Sequence, residues 1–197
     1  MKLTPLILKA ITSATRLHNG ATRKVDDTPF IVHPFSVAWI ISEVTDDEEI
    51  IAAALLHDVL EDVKGYREED MLRDFGPRIT GIVKDVTEDK DPNKEYNEKA
   101  TWKKRKMGYI DHLRTASPEA MILSCSDKIS NLTSFLRDYR ELGEEIWEYF
   151  NASREEKFWY ESSLLAIFRE VEDQRMAPLL GEYERLVKEV HIDSSLK

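Results

Sequence analysis

Residues 50–62 read Ile-Ile-Ala-Ala-Ala-Leu-Leu-His-Asp-Val-Leu-Glu-Asp. The first seven of these residues are apolar without a break, which is typical of a helix that is buried on most of its sides. Four ionisable residues then follow within six positions, namely His57, Asp58, Glu61 and Asp62. The stretch therefore predicts a buried helix whose last turns carry several ionisable groups.

The acidic end of this helix needs a positive partner if it is buried. Asp62 lies four residues after Asp58, so the two carboxylates are neighbours on a helix surface and repel each other. Burying unpaired carboxylates would cost several kcal/mol for each one. A divalent metal ion would supply the missing positive charge. The alternative is a solvated helix end that is merely acidic.

Two other segments offer candidate metal ligands. His33 stands at an apolar helix start in the segment Phe-Ile-Val-His-Pro-Phe, residues 30–35, although a lone histidine of this kind is often a satisfied core residue. Asp127, Asn131 and Ser134 share one helix face beside an apolar stripe. Such a polar row suits the wall of a cleft, while an isolated aspartate there could be plain surface.

Two histidines and two aspartates would form a mixed nitrogen and carboxylate ligand set. Such a set suits Mn²⁺, Fe²⁺, Co²⁺ or Zn²⁺ rather than Ca²⁺, which prefers oxygen ligands. Four protein ligands leave coordination positions for water and substrate.

Helical spacing dominates the remaining sequence, and the 7 glycines and 7 prolines are too few for the many turns of a sandwich or barrel. We predict an all-α fold with loops at 20–30 and 88–93. We also predict a single domain over residues 1–197, with a core at about 8–175 and a C-terminal helical extension at 176–197. The predicted helices cover residues 4–19, 34–44, 47–60, 67–75, 77–87, 94–116, 118–137, 140–151, 153–173 and 176–190.

The composition indicates a cytoplasmic protein. No stretch approaches the roughly 18 to 20 apolar residues of a membrane helix, and the N-terminal apolar patch is a poor signal peptide because Pro5 and Lys9 interrupt it. Cys125 is the single cysteine, so no internal disulfide can form. The sequence gives no indication of the oligomeric state.

The net charge of −10 argues against nucleic-acid binding, which usually needs a basic surface. It does not exclude an anionic small molecule, because a bound cation or a local basic cluster can reverse the field inside one cleft. The basic run at residues 103–106 is either a solvated helix face or a source of one or two cleft-facing cations, since helical geometry spreads four consecutive residues around the axis.

The order of the candidate ligands resembles the HD phosphohydrolase superfamily. His33, then His57-Asp58, then Asp127 form its H…HD…D pattern. The flanking segments at 17–24, 29–34, 56–62 and 126–132 are similar to the hydrolase domain of RelA/SpoT-type proteins and to the small alarmone hydrolases. This resemblance covers about residues 8–175.

The resemblance implies an HD-domain helical bundle of about ten helices. It also implies hydrolysis of the 3′-pyrophosphate of (p)ppGpp, a small-molecule guanosine polyphosphate, to GDP or GTP and pyrophosphate, with Mn²⁺ as the metal. The implied metal ligands are His33, His57, Asp58 and Asp127. Glu61 and Asp62 are implied to activate or position water and to protonate the leaving group.

The resemblance also implies substrate contacts. Arg23 and Lys24 would contact the phosphates and ribose, Asn131 the nucleoside, and Tyr160 would stack on guanine. The chain departs from the usual family pattern at Gly20-Ala21, around residues 25–27 and at Lys128-Ile-Ser130-Asn131. These changes surround the nucleotide, so they bear on the identity of the substrate.

Two alternative functions follow from these observations. One is an HD phosphohydrolase that acts on another nucleotide. The other is a catalytically idle module that binds a metal or a nucleotide. Such a module would typically have lost a ligand or one of the acids Glu61 and Asp62, and all of them are present.

Overall fold

Helices form nearly all of the regular structure in the computed structural model, which describes residues 1–88 and 98–193. Within these ranges the only strand-like pairing is an isolated antiparallel bridge between Thr22 and Pro29, so the predicted all-α fold is confirmed. The helices are α1 (Pro5–Leu17), α2 (Val32–Ser42), α3 (Glu48–Leu56), α4 (Val59–Asp62), α5 (Glu68–Val86), α6 (Glu98–Leu113), α7 (Pro118–Leu142), a 3₁₀ helix (Gly143–Tyr149), α8 (Arg154–Phe168) and α9 (Met176–Asp193).

Helix α3 is the centre of the core. All seven residues from Ile50 to Leu56 are buried, and α3 packs against α1, α2, α5 and α7. Its first turn is capped by Asp47, whose Oδ1 accepts a hydrogen bond from the backbone N–H of Glu49 at 3.0 Å. Burial of an entirely apolar helix fixes the position of the ionisable residues that follow it.

The predicted helix at 47–60 is wrong in one respect, because it is broken at His57 and Asp58. Asp58 has φ −88° and ψ −6°, which departs from helical geometry. The His57 Nδ1 atom lies 2.8 Å from the carbonyl oxygen of Ala54, so the imidazole bonds the last turn of α3. The chain then re-enters a helix as α4, and the two side chains lie at the junction.

Two other predicted helices also differ from the structure. The segment 140–151 is divided, because α7 runs to Leu142 and a 3₁₀ helix follows. Gly143 at the junction has φ 61°, a left-handed conformation that ends an α-helix readily at glycine. The segment 153–173 is helical only to Phe168. A turn follows at Asp173, whose Oδ1 accepts a hydrogen bond from the backbone N–H of Arg175 at 2.8 Å.

The predicted interruption between 67–75 and 77–87 is present as a kink within α5 at Gly76. The first four residues of the predicted helix 94–116 lie outside the described residues. The predicted loop at 88–93 also lies outside them, apart from Glu88.

The predicted loop at 20–30 is present and is internally bonded. Its two arms are joined by backbone hydrogen bonds from Arg23 to Thr28 (2.9 Å) and from Phe30 to Ala21 (2.8 Å). Asp26 then forms an ion pair with Arg137 of α7 at 3.2 Å. The loop is thus held beside α7.

Buried apolar side chains from α1 to α9 belong to one cluster, while the limits of the domain stay a prediction. Every helix of the described part of the chain is too short or too polar to span a lipid bilayer.

Candidate active site

Two histidines and two aspartates meet where α2, the α3–α4 junction and α7 come together. The Nε2 atom of His33 lies 3.0 Å from Asp127 Oδ1 and 3.6 Å from Asp58 Oδ2. The Nε2 atom of His57 lies 3.1 Å from Asp58 Oδ2 and 3.8 Å from Asp127 Oδ1. Both imidazoles are buried. The structure therefore brings together the four side chains that were predicted as ligands.

The outer nitrogen of each imidazole is held by a neighbouring group. His57 Nδ1 faces the Ala54 carbonyl oxygen, which can only accept, so we infer that Nδ1 carries the proton. Its Nε2 is buried without a hydrogen-bond partner among the described residues. Burial lowers the pKa of the His57 ring, but Asp58 and Asp127 outweigh it and raise that pKa well above its usual value, and a bound metal ion would take the place of the Nε2 proton. His33 Nδ1 lies 3.1 Å from Ser130 Oγ. Both rings thus turn Nε2 towards the carboxylates, as ligating histidines do.

The electrostatics of the cluster favour a cation. Burial raises the pKa of Asp58, but His57 and His33 outweigh it and bring that pKa to about 2. Burial likewise raises the pKa of Asp127, while Lys128 and the two histidines hold it well below its usual range. Both carboxylates are therefore ionised at neutral pH.

The spacing of the donor atoms also fits a metal ion. His33, His57 and Asp58 can each offer one ligand atom such that all three atoms lie within 4.8 Å of one another. Ligands at about 2.0–2.2 Å from an ion have neighbouring donor atoms about 3 Å apart. The orphaned Nε2 of His57 and the two ionised carboxylates are the groups that such an ion would satisfy.

The two predicted catalytic acids have different surroundings. Asp62 is exposed and lines the cleft beside the cluster. Glu61 is half-buried, and its Oε2 accepts a hydrogen bond from the backbone N–H of Glu88 at 3.2 Å. Asp62 therefore faces the space for a ligand, whereas Glu61 also connects α4 to Glu88, the second residue after α5.

A cleft of about 560 Å³ adjoins the cluster, which is a usual size for a small-molecule site. Its walls come from the 20–30 loop, α4, α6, α7 and the region around α8. All four predicted substrate contacts line it, namely Arg23, Lys24, Asn131 and Tyr160. Asn131 connects cleft and cluster, since it receives a hydrogen bond from Arg23 (3.3 Å) and donates one to Asp127 (2.6 Å).

Cations outnumber acids in the wall of the cleft, in contrast to the net charge of the chain. The cations are Arg23, Lys24, Arg105, Lys106, Lys128 and Lys157, and the acids are Asp62, Asp138 and Glu161. This excess favours an anionic ligand. From the basic run at 103–106, Arg105 and Lys106 line the cleft, in agreement with the expectation of at most two.

Sequence reasoning missed several residues of this site. Lys128 lies 2.7 Å from Asp127 Oδ2, and only its position directly after Asp127 could have indicated it. Ser130 contacts His33 through a tertiary arrangement that has no signal in the sequence. Glu88 binds both Arg105 (2.6 Å) and Lys106, which also could not be read from spacing.

His18 lies beside the cluster. Burial lowers its pKa, and Asp58, His57 and His33 all act on it electrostatically. Its Nε2 is buried without a hydrogen-bond partner among the described residues, and its ring centroid is 4.9 Å from that of Phe30.

A family model described as an HD domain matches residues 10–157. The guanosine-3′,5′-bis(diphosphate) 3′-pyrophosphohydrolase MESH1 of Xenopus tropicalis is 35% identical over 160 residues, which cover 76% of this chain and 82% of the relative.

Two solved structures share the fold. One is a metazoan ortholog of SpoT that is described as hydrolysing ppGpp, with a TM-score of 0.69, 24% identity and coverage of 100% of this chain and 99% of the other. The second is a protein of Listeria monocytogenes EGD-e, with a TM-score of 0.66, 30% identity and coverage of 80% and 92%.

Proposed function

Because this chain belongs to the HD domain family, we propose that it is a metal-dependent phosphohydrolase that removes the 3′-pyrophosphate of (p)ppGpp. The products would be GDP or GTP and pyrophosphate. The predicted resemblance to RelA/SpoT-type hydrolases is confirmed by the relatives named above. The observation that carries the proposal is the convergence of two histidines and two aspartates beside a cleft rich in cations.

We assign His33, His57, Asp58 and Asp127 as the residues that hold a divalent ion. The HD domain implies dependence on such an ion, and Mn²⁺ is our specific proposal, since it accepts nitrogen and carboxylate ligands together. When bound, it would lower the pKa of a water molecule and polarise a phosphoryl oxygen.

Protein side chains would carry out proton transfer and hold the substrate. Asp62 faces the cleft and is placed to exchange a proton with water and the leaving group, with Glu61 beside it. Lys128 holds Asp127 and presents positive charge to the same cleft. Arg23, Lys24 and Asn131 line the same cleft and would orient the nucleotide.

The cellular setting is part of the proposal. We propose a cytoplasmic enzyme with a small guanosine polyphosphate as its partner and no nucleic acid. The free, buried Cys125 is compatible with a reducing compartment, and the net charge of −10 disfavours a nucleic-acid partner.

The test combines metal analysis with turnover. Metal-free protein is reconstituted with Mn²⁺, its bound metal is quantified, and pyrophosphate release from ppGpp is measured beside a panel of other nucleotides. Asp58→Asn should lose bound metal and lower turnover by more than about a hundredfold. Asp46→Asn, which makes the same charge change at an exposed position, should behave as the parent.

Two results would contradict the proposal. Fully reconstituted parent protein that hydrolyses another nucleotide but not ppGpp would favour the alternative HD phosphohydrolase. Turnover that survives in Asp58→Asn would show that the cluster is not the catalytic centre.

A further inference from the structure

Two neighbouring tyrosines in the wall of α6 and α8 differ in how their hydroxyl groups are satisfied. The ring centroids of Tyr109 and Tyr160 lie 6.5 Å apart. The hydroxyl of Tyr109 is 2.8 Å from Ser124 Oγ. The hydroxyl of Tyr160 is buried and has no hydrogen-bond partner among the described residues. An unsatisfied buried hydroxyl destabilises the fold, so its presence in a ligand cleft needs an explanation.

Two lysine ammonium groups from different helices lie over the ring of Tyr160. The Nζ atom of Lys106 lies 5.0 Å from the ring centroid, and that of Lys128 lies 5.8 Å from it. Attraction between a cation and an aromatic ring holds the two groups in place. All three residues line the cleft. The arrangement therefore gathers two positive charges and one hydroxyl donor.

Both lysines are anchored on their other side by carboxylates. Lys128 is bonded to Asp127, one of the proposed metal ligands. Lys106 shares the buried Glu88 with Arg105. Burial lowers the pKa of Lys106, while Glu88 opposes that effect. An anion in the cleft would further favour the charged form of this lysine.

The ring itself is a poor platform for a base. Tyr160 is only 4% exposed, so its faces are covered by protein and a guanine could not stack on them without displacing neighbours. The hydroxyl is the group that lacks a partner. The hydroxyl is itself buried, so a phosphate oxygen would reach it after the flexible side chains of Lys106 and Lys128, which lie by the ring, turn towards the anion.

We propose that Lys106, Lys128 and Tyr160 form a subsite for a pyrophosphate group, in which the Tyr160 hydroxyl donates a hydrogen bond to a phosphate oxygen. The inference rests on the proposed function for the identity of that group as the leaving pyrophosphate. It replaces the expectation that Tyr160 stacks on guanine with a different role for the same residue.

The test measures binding without turnover. Inorganic pyrophosphate is titrated into metal-free protein by calorimetry, using the full chain. Tyr160→Phe should weaken binding by about tenfold or more, the loss of one hydrogen bond to an anion, with a Tm that does not fall. Lys106→Met should weaken it about tenfold.

Two variants serve as matched controls. Tyr139→Phe removes a hydroxyl that donates to Glu144 at 2.7 Å, away from the cleft. Lys104→Met removes an exposed charge from the same basic run. Both should bind pyrophosphate as the parent does.

The inference is overturned if the parent protein does not bind pyrophosphate, if Tyr160→Phe binds it unchanged, or if Lys104→Met weakens binding as much as Lys106→Met. The binding assay needs no nucleotide and no turnover. A protein that binds pyrophosphate through this subsite but leaves ppGpp intact would refute the proposed function alone.

Discussion

Ser130 Oγ lies 3.1 Å from Nδ1 of His33, while Nε2 of the same ring lies 3.0 Å from Asp127 Oδ1. Helix α7 therefore contacts both ends of one imidazole. A partner on the outer nitrogen fixes the tautomer and the orientation of a metal-ligating histidine. Ser130 is thus a positioning residue of the proposed metal centre, although it is not itself a ligand.

Ser130→Ala should weaken Mn²⁺ binding by about tenfold, because outer partners of ligating histidines contribute about ten- to a hundredfold to metal affinity. The affinity can be measured by competition with a chelator. Ser126→Ala is the control, since the buried Ser126 hydroxyl donates to the Ile122 carbonyl at 2.9 Å and not to a ligand. Equal loss of affinity in both variants would contradict the assigned role of Ser130.

Substitution of the two acids of α4 should affect the free energy of unfolding differently. Asp62 is exposed in the cleft, so Asp62→Asn should lower kcat by about a hundredfold or more and leave the unfolding free energy nearly unchanged. Glu61→Ala should lower kcat and also cost about 1 kcal/mol, because the Glu88 N–H loses an acceptor. Kinetics and urea unfolding together check this. A larger loss of stability in Asp62→Asn than in Glu61→Ala would reverse the assignment.

Particular residues show how far the sequence predicts this structure. The apolar run before His57 predicted a buried helix, and every residue from Ile50 to Leu56 is buried. The interruption predicted between residues 75 and 77 lies at Gly76, which Pro77 follows, and both residue types disfavour a regular helix. These features depend on local composition, which sequence patterns report well.

Other features depend on tertiary contacts and could not be predicted. The break at His57 comes with a side chain that bonds the Ala54 carbonyl, an effect that helix propensity does not include. The contact of Ser130 with His33 and that of Lys106 with Tyr160 join residues from different helices. Spacing within one helix carries no information about such pairs.

Gly76 and Gly81 of α5 should respond to the same substitution with opposite signs. Gly76 has φ 81° and ψ 173°, a conformation that costs about 1–3 kcal/mol for a residue with a Cβ atom. Gly81 is an exposed residue within the same helix, and a Cβ added to either glycine would meet no atom within 4 Å. Gly76→Ala should therefore destabilise the protein, and Gly81→Ala should stabilise it by about 0.5–1 kcal/mol. Urea unfolding measures the change in unfolding free energy for each variant. Stabilisation by Gly76→Ala would contradict the positive φ of Gly76 at the kink.

Asp47 should contribute to stability in a way that depends on pH. It caps α3 and forms an ion pair with Arg78 at 2.6 Å. The hydrogen bond from Arg78 holds the pKa of Asp47 below its usual value against the opposing effect of burial. A carboxyl whose pKa is lowered by folding stabilises the folded state above its unfolded pKa of about 3.9. That contribution is lost as the pH falls through the lower, folded pKa.

Asp47→Asn keeps a side chain that caps helices well and removes only the charge. The pair is partly exposed, so the expected cost at pH 7 is no more than about 1 kcal/mol. Asp47→Ala also loses the cap and should cost about 1–2 kcal/mol. Urea unfolding of metal-free protein should show the difference between parent and Asp47→Asn shrinking as the pH falls from about 4 towards 2, the range in which the carboxylate is protonated. A difference that stays constant over this range would mean that the charge of Asp47 does not stabilise the fold.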